Sequence, residues 1–143
     1  MKILQCHSSH IDLLYQKEIE IFEFYLRDAK EDIIADVKKG CYYGLFDNNI
    51  LLGYCCIHED REEIYLNNLV VSQQYKGLGY SKTLIQFIKQ YAYLQEVKKI
   101  WLHVSIKNDI ALGLYNKCGF KIKETVKDFY NFNEDALLME YVN

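Results

Sequence analysis

The sequence predicts an α+β domain, and three observations carry that prediction. Three apolar runs follow one another directly, at Cys41 to Phe46, Ile50 to His58 and 64–71, which reads as consecutive strands. The last of them enters a turn with two glycines and then a helical pattern, and from there strand and helix alternate until two final strands. Such an order implies a central mixed, mostly antiparallel sheet of about seven strands with helices on both faces.

Taken in order, residues 2 to 6 form a short strand. Ser9 with Asp12 has the spacing of a capping box and opens a helix through about Phe22; a second helix spans roughly Lys30 to Lys39 and stops at Gly40. The piece between them, Glu23-Phe24-Tyr25-Leu26-Arg27-Asp28, is aromatic and poorly periodic. Asp47-Asn48-Asn49 joins the first two strands of the run as a hairpin, because these residues tolerate positive φ. A helix from about Gly79 to Leu94, a strand at Ile100 to Val104, and a helix opened by Asn108-Asp109 come next. Phe120 to Val126 and Ala136 to Tyr141 supply the last two strands.

Composition narrows the function classes. The 143 residues suit one domain over 1–143, half apolar and 15% aromatic, as in a packed globular protein rather than a disordered one. A net charge of -3 without a Lys/Arg block argues against a nucleic-acid partner. No apolar run approaches ~18 residues, and polar residues follow the start too soon for a secretion signal, so no membrane contact and a cytoplasmic location are expected. Cys6, Cys41, Cys55, Cys56 and Cys118 form an odd set without a CxxC pair, read as reduced, mostly buried thiols. Cys6, His7 and His10 lack a second cluster to complete a tetrahedral site, so no metal is expected.

The chemistry starts at the glycine turn. After Tyr65-Leu66-Asn67-Asn68-Leu69-Val70-Val71 comes Tyr75-Lys76-Gly77-Leu78-Gly79-Tyr80-Ser81, and then Leu84, Ile85, Phe87, Ile88 and Tyr91 at helical spacing. Glycines let the backbone approach an anion, and the N–H groups and positive end of the following helix stabilise its charge. This is a cradle for a pyrophosphate.

From Val71 onward the sequence resembles the cofactor motif of the GNAT superfamily of N-acetyltransferases, V-x-P-x-x-[Q/R]-x-x-G-x-[G/A]. Gln74-x-x-Gly77-x-Gly79 matches by letters, whereas Lys76-x-x-Gly79-x-Ser81 keeps the spacing from Val71 and sets Leu84-Ile85 at the helical pair; the second register is adopted. Lys76 then stands for Arg or Gln, Ser81 for the last small residue, and Gln73 for a common proline. Further on, Val104, Asn108, Ala111, Leu114, Tyr115, Gly119 and Phe120 fit every named position of the superfamily's V-x-x-x-N-x-x-A-x-x-L-Y-x-x-x-G-F pattern. Phe129 to Met139 is similar to the aromatic pair, spacer and E-D-A-x-x-M strand of the ribosomal-protein alanine and protein N-terminal acetyltransferases. The resemblance covers roughly Leu66 to Met139; before that, only the order of elements agrees.

The resemblance implies a GNAT fold, with its sheet splayed at the cofactor site, and acetyl-CoA as co-substrate. Leu69, Val70 and Val71 would offer backbone groups to the pantetheine and thioester, and Gly77, Leu78, Gly79, Tyr80, Ser81 and Lys82, with Lys76, would hold the pyrophosphate. Asn108 would bond the pantetheine arm. Tyr115 would protonate the departing thiolate, a suitable task for a phenol of pKa ~10 against a thiol of ~8.5. In the similar alanine N-acetyltransferases the next strand reads L-E-V, with Glu as proposed base; here it reads Leu102-His103-Val104. His103 is therefore the candidate base, with packing in a polar pocket as the competing reading. Phe129, Tyr130 and Phe132 would form one wall of the acceptor site, and Phe24 and Tyr25 the other.

The function expected is direct acetyl transfer to a primary amine, most readily a protein or peptide N-terminal amine, through a tetrahedral intermediate whose oxyanion meets a backbone N–H such as that of Val70. Deprotonating an α-amine at pH 7 costs about 1.1 kcal/mol, against about 4.6 for a lysine ε-amine, and a weak base suits the former. The alternatives are a small-molecule amine such as a polyamine, aminoglycoside or amino acid, for which Glu31, Asp32, Glu62 and Glu63 would supply an acidic pocket, and a non-catalytic acetyl-CoA-binding module.

Overall fold

The computed structural model describes residues 1–22, 27–130 and 133–143. Its elements follow the expected order: β1 (Lys2–Gln5), α1 (Ile11–Ile21), α2 (Lys30–Lys38), β2 (Tyr42–Asp47), β3 (Ile50–Asp60), β4 (Glu63–Val71), α3 (Tyr80–Leu94), β5 (Lys99–Ser105), α4 (Asp109–Lys117), β6 (Lys121–Tyr130) and β7 (Glu134–Val142). The seven strands form one mixed α+β sheet in the order β1-β2-β3-β4-β5-β7-β6. β4 and β5 pair in parallel, while β1/β2, β2/β3, β5/β7 and β6/β7 are antiparallel. The parallel ladder runs from Glu63↔Lys99 to Tyr65↔Trp101, although β4 continues to Val71 and β5 to Ser105.

The contacts resolve into two compact units, Met1–Ile57 with Asn68–Leu84 and His58–Asn67 with Ile85–Asn143. In the first, Leu14 of α1, Ile33 and Val37 of α2, and Tyr42, Phe46, Leu51, Tyr54, Cys56 and Val70 of the strands make a buried core. The i, i+4 spacing of Ile33 and Val37 gives α2 a single apolar face. The hairpin expected at 47–49 forms, with Asn48 at φ 55. In the second unit, Ile100, Leu102 and Val104 are buried on one face of β5, and Trp101, His103 and Ser105 are half-buried on the other, as a two-residue period requires.

Two local expectations change. Ser9 and Asp12 do not form the capping box: residues Ser8–His10 make a 3-10 turn in which His7 N–H donates to His10 Nδ1 at 2.9 Å, and α1 starts only at Ile11. His10 takes the part of the Glu or Gln at the third position of a capping box, its ring nitrogen reaching back to the His7 backbone N–H. β6 runs on to Tyr130 rather than stopping near Val126. Asp128 takes φ 52 and its N–H donates to Asp135 Oδ1 at 2.9 Å, which bridges an irregularity in the ladder before Tyr130 pairs with Glu134. Phe129 and Tyr130 are thus held on a strand.

Candidate active site

In the first unit the glycine turn is shaped by backbone needs. Gly77 and Gly79 take φ 83 and 85, where a side chain would be strained, and a Cβ on either would meet nothing within 4 Å. Lys76 and Leu78 are exposed. Gly79 O accepts from Thr83 N at 3.1 Å and from Thr83 Oγ1 at 3.1 Å, so the N–H groups of Tyr80, Ser81 and Lys82 precede the first intrahelical bond of α3. Open space in front of glycine backbone and free first-turn N–H groups fits a pyrophosphate. Upstream, Val70 and Val71 are buried and Leu69 is half-buried. Gly53 on β3 is a contributor that sequence reading missed: its Cβ would lie 2.6 Å from Val70 O. Its only signal was a glycine inside an apolar strand, which marks close backbone approach.

In the second unit Asn108 caps α4, its Oδ1 accepting from Ala111 N at 3.1 Å. Tyr115 lies on the following turns, 8% exposed, with its ring edge-on to Phe120 at 5.6 Å.

The second unit also gathers an aromatic cluster around His103. The imidazole stacks on Phe129 (4.0 Å between ring centroids, 17° between planes) and meets Trp101 and Tyr65 edge-on at 5.8 and 5.7 Å. Tyr65 and Trp101 are 4.4 Å apart, and Phe129 is edge-on to Tyr130 at 5.0 Å. Tyr65 Oη and His103 Nδ1 lie 3.0 Å apart, with either atom able to carry the proton. Burial lowers the His103 pKa below its ordinary 6.5, opposed by the charge of Glu124. Tyr130 is pushed up to about 12, first by burial and then by Tyr65 and Glu134. His103, Phe129 and Tyr130 lie in one cluster, together with Trp101, its neighbour by alternation on β5, and with Tyr65, which sequence reading did not single out. Only the β4/β5 register, Tyr65 beside Trp101, reveals Tyr65.

Phe24, Tyr25 and Phe132 lie outside the described residues. Of the acidic residues considered for a cationic acceptor, Glu62 and Glu63 pair with Lys98 at 3.5 Å and Lys99 at 3.3 Å, while Glu31 and Asp32 sit in the first turn of α2. No helix among the described residues is long and apolar enough to cross a membrane.

A glycine turn opening a helix after β4, an Asn-capped helix carrying a buried tyrosine, and a mixed seven-stranded sheet define an acyltransferase-like class. The acetyltransferase (GNAT) family pattern matches residues 9–120, and the chain belongs to that family. It is 26% identical over 131 residues to a putative [ribosomal protein bS18]-alanine N-acetyltransferase of Bacillus subtilis, covering 90% of this chain and 87% of that one. Over 92 residues it is 32% identical to a chloroplastic GCN5-related N-acetyltransferase 6 of Arabidopsis thaliana, covering 63% of this chain but only 32% of that relative. The fold matches the ribosomal-protein-S18-alanine N-acetyltransferase of Escherichia coli with a TM-score of 0.90 at 20% identity, over 99% of this chain and 92% of that one.

Proposed function

We propose that the chain is an acetyl-CoA-dependent N-acetyltransferase acting on the N-terminal α-amine of a protein or peptide in the cytoplasm. The observation that carries this reading is the His103 cluster, an imidazole whose charged form burial disfavours, bonded to Tyr65 and walled by aromatic rings. A neutral imidazole is a sufficient base for an α-amine but a poor one for a lysine side chain.

The chain's own residues divide the work. The N–H groups of Tyr80, Ser81 and Lys82, the turn Gly77-Leu78-Gly79 and the Lys76 ammonium hold the pyrophosphate of acetyl-CoA. Leu69, Val70 and Val71 align the thioester through their backbone, and one N–H of this segment receives the oxyanion. Asn108 has its Oδ1 committed to Ala111, which leaves its amide N–H groups for the pantetheine arm. With Nδ1–H donated to Tyr65 Oη, His103 keeps its Nε2 lone pair to take a proton from the amine, directly or through water. Tyr115 returns a proton to the thiolate.

Relatives support the acceptor class. A zebrafish (Danio rerio) protein named N-alpha-acetyltransferase 50 is 29% identical over 119 residues, 80% of this chain and 67% of that one. Pairing of Glu62 and Glu63 with lysines removes half of the acidic pocket a polyamine would need. Isotope-labelled acetyl-CoA offered with a panel of N-terminal peptides and of small amines tests the proposal. Transfer to peptides is expected; turnover of one small amine with all peptides inert overturns it.

A further inference from the structure

Away from the site just described, the first unit gathers two thiols around one carboxylate at the end of α2. The helix closes in a Schellman turn: Gly40, at φ 78, donates its N–H to Val37 O at 3.0 Å, and Cys41 N–H donates to Asp36 O at 2.9 Å. That turn folds Cys41 back onto Asp36, and Cys41 Sγ lies within 4.8 Å of an Asp36 carboxylate oxygen. From the strand side, Tyr42 pairs with Cys56, and Cys41 O accepts from Ile57 N at 2.9 Å. This register brings Cys56 Sγ to the same carboxylate, where it donates to Asp36 Oδ2 at 3.8 Å. Asp36 and Cys41 are half-buried and open to solvent, whereas Cys56 is fully buried. β3 carries His58 two residues beyond Cys56, on the same face of the strand.

The electrostatics call for a cation. Asp36 sits in the last turn of α2, at the negative end of the helix dipole. Burial first, and the Asp36 charge second, raise the Cys41 thiol above its ordinary pKa, with Lys39 opposing. Cys56 is raised by burial and then by Asp36, Cys41 and Asp28. These groups repel one another as anions, and a divalent ion among them turns the repulsion into attraction.

We propose that Asp36, Cys41 and Cys56 form a binding site for a thiolate-seeking divalent cation of the Zn²⁺ class. One carboxylate oxygen and two sulfurs supply three ligands of a tetrahedral set, and the last position is left to water or to His58, the next donor on that face of β3. Mg²⁺ and Ca²⁺ take oxygen ligands, so two sulfurs exclude them. Binding converts both thiols to thiolates and releases their protons to solvent. The ion fastens the end of α2 to β3 and stabilises the first unit, with no part in acetyl transfer. Cys41 and Cys56 have no metal-binding spacing in the sequence; the Schellman turn and the β2/β3 register assemble the site.

The test uses the whole chain, stripped with a chelator and titrated with Zn²⁺ against a chromophoric competitor. Wild type should bind about one Zn²⁺ per chain, show sulfur-to-metal charge-transfer absorption with Co²⁺, and gain Tm with Zn²⁺ but not with Mg²⁺. Cys41→Ser and Asp36→Asn should each lose about 100-fold in Zn²⁺ affinity, the upper end of what loss of a mere supporting residue costs. Absence of Zn²⁺ binding in wild type overturns the proposal. So does full affinity retained in either variant, which would put the ion elsewhere, as on Cys6, His7 and His10. Should the variants not fold, wild type alone decides: Zn²⁺ should slow alkylation of Cys41 about tenfold, because a metal-bound thiolate is withheld from the reagent, and an unchanged rate overturns the site.

Discussion

The two compact units present their candidate contacts in different currencies. In the first, the cradle is backbone: two glycines at positive φ and the first-turn N–H groups of α3. In the second, the groups that would move protons are side chains, His103 bonded to Tyr65 and Tyr115 against Phe120. A backbone cradle depends on chain geometry, so it resists most side-chain changes but fails when a Cβ intrudes. A side-chain constellation fails when a single atom is removed, while the chain around it stays folded.

The largest effect expected from this contrast is at Tyr115. Tyr115→Phe deletes one oxygen from a buried ring and should lower kcat by about 10²–10⁴-fold, the range for a positioned general acid, with acetyl-CoA affinity within about twofold by calorimetry. Wild-type kcat in this variant removes Tyr115 from the acid role. Weakened acetyl-CoA binding in step with kcat would instead make it a binding residue and blur the division between the units.

Next comes Gly53→Ala, which attacks the backbone side. The new Cβ would lie 2.6 Å from Val70 O and 3.2 Å from Val71 Cα, contacts that β4 relieves only by moving. The expected cost is about 1–3 kcal/mol of stability in urea unfolding, together with a lower kcat because Leu69–Val71 shift with it. A variant with unchanged kcat would show that the alignment of this segment is not critical.

How well each unit could be read from sequence follows the same division. The cradle is contiguous, so the spacing from Val71 through Gly77 and Gly79 into Leu84 and Ile85 was enough to find it, and Asn108 and Tyr115 sit on one short helix. Alternation along β5 is enough to put His103 on one face with Trp101 and Ser105. Tyr65 and Gly53 were not legible because their roles exist only through partners distant in sequence. Tyr65 matters through a bond to His103, and Gly53 through the Val70 carbonyl. Local pattern carries no information about which strands become neighbours. The capping of α1 went wrong for a related reason: His7 and His10 outcompeted Ser9 and Asp12 through a ring nitrogen that capping rules do not anticipate.

The smallest effects belong to the base, because an α-amine at pH 7 needs only about 1.1 kcal/mol to lose its proton. His103→Ala should therefore cost about tenfold in kcat/KM. It should also abolish the acid limb of the pH profile, which in wild type has its midpoint below 6.5, since burial disfavours the imidazolium. An intact limb in the variant assigns the titration to another group. Tyr65→Phe then reports which nitrogen acts. If Nδ1–H donates to Tyr65 Oη, that bond is stronger for the charged ring, and losing it lowers the His103 pKa and moves the limb to lower pH. If instead the Tyr65 hydroxyl donates to Nδ1, the bond favours the neutral ring, and losing it moves the limb up. The downward shift is expected, because only that tautomer leaves a lone pair on Nε2 for the amine proton. An upward shift would route the proton through Tyr65 Oη to Nδ1, making the two residues a relay.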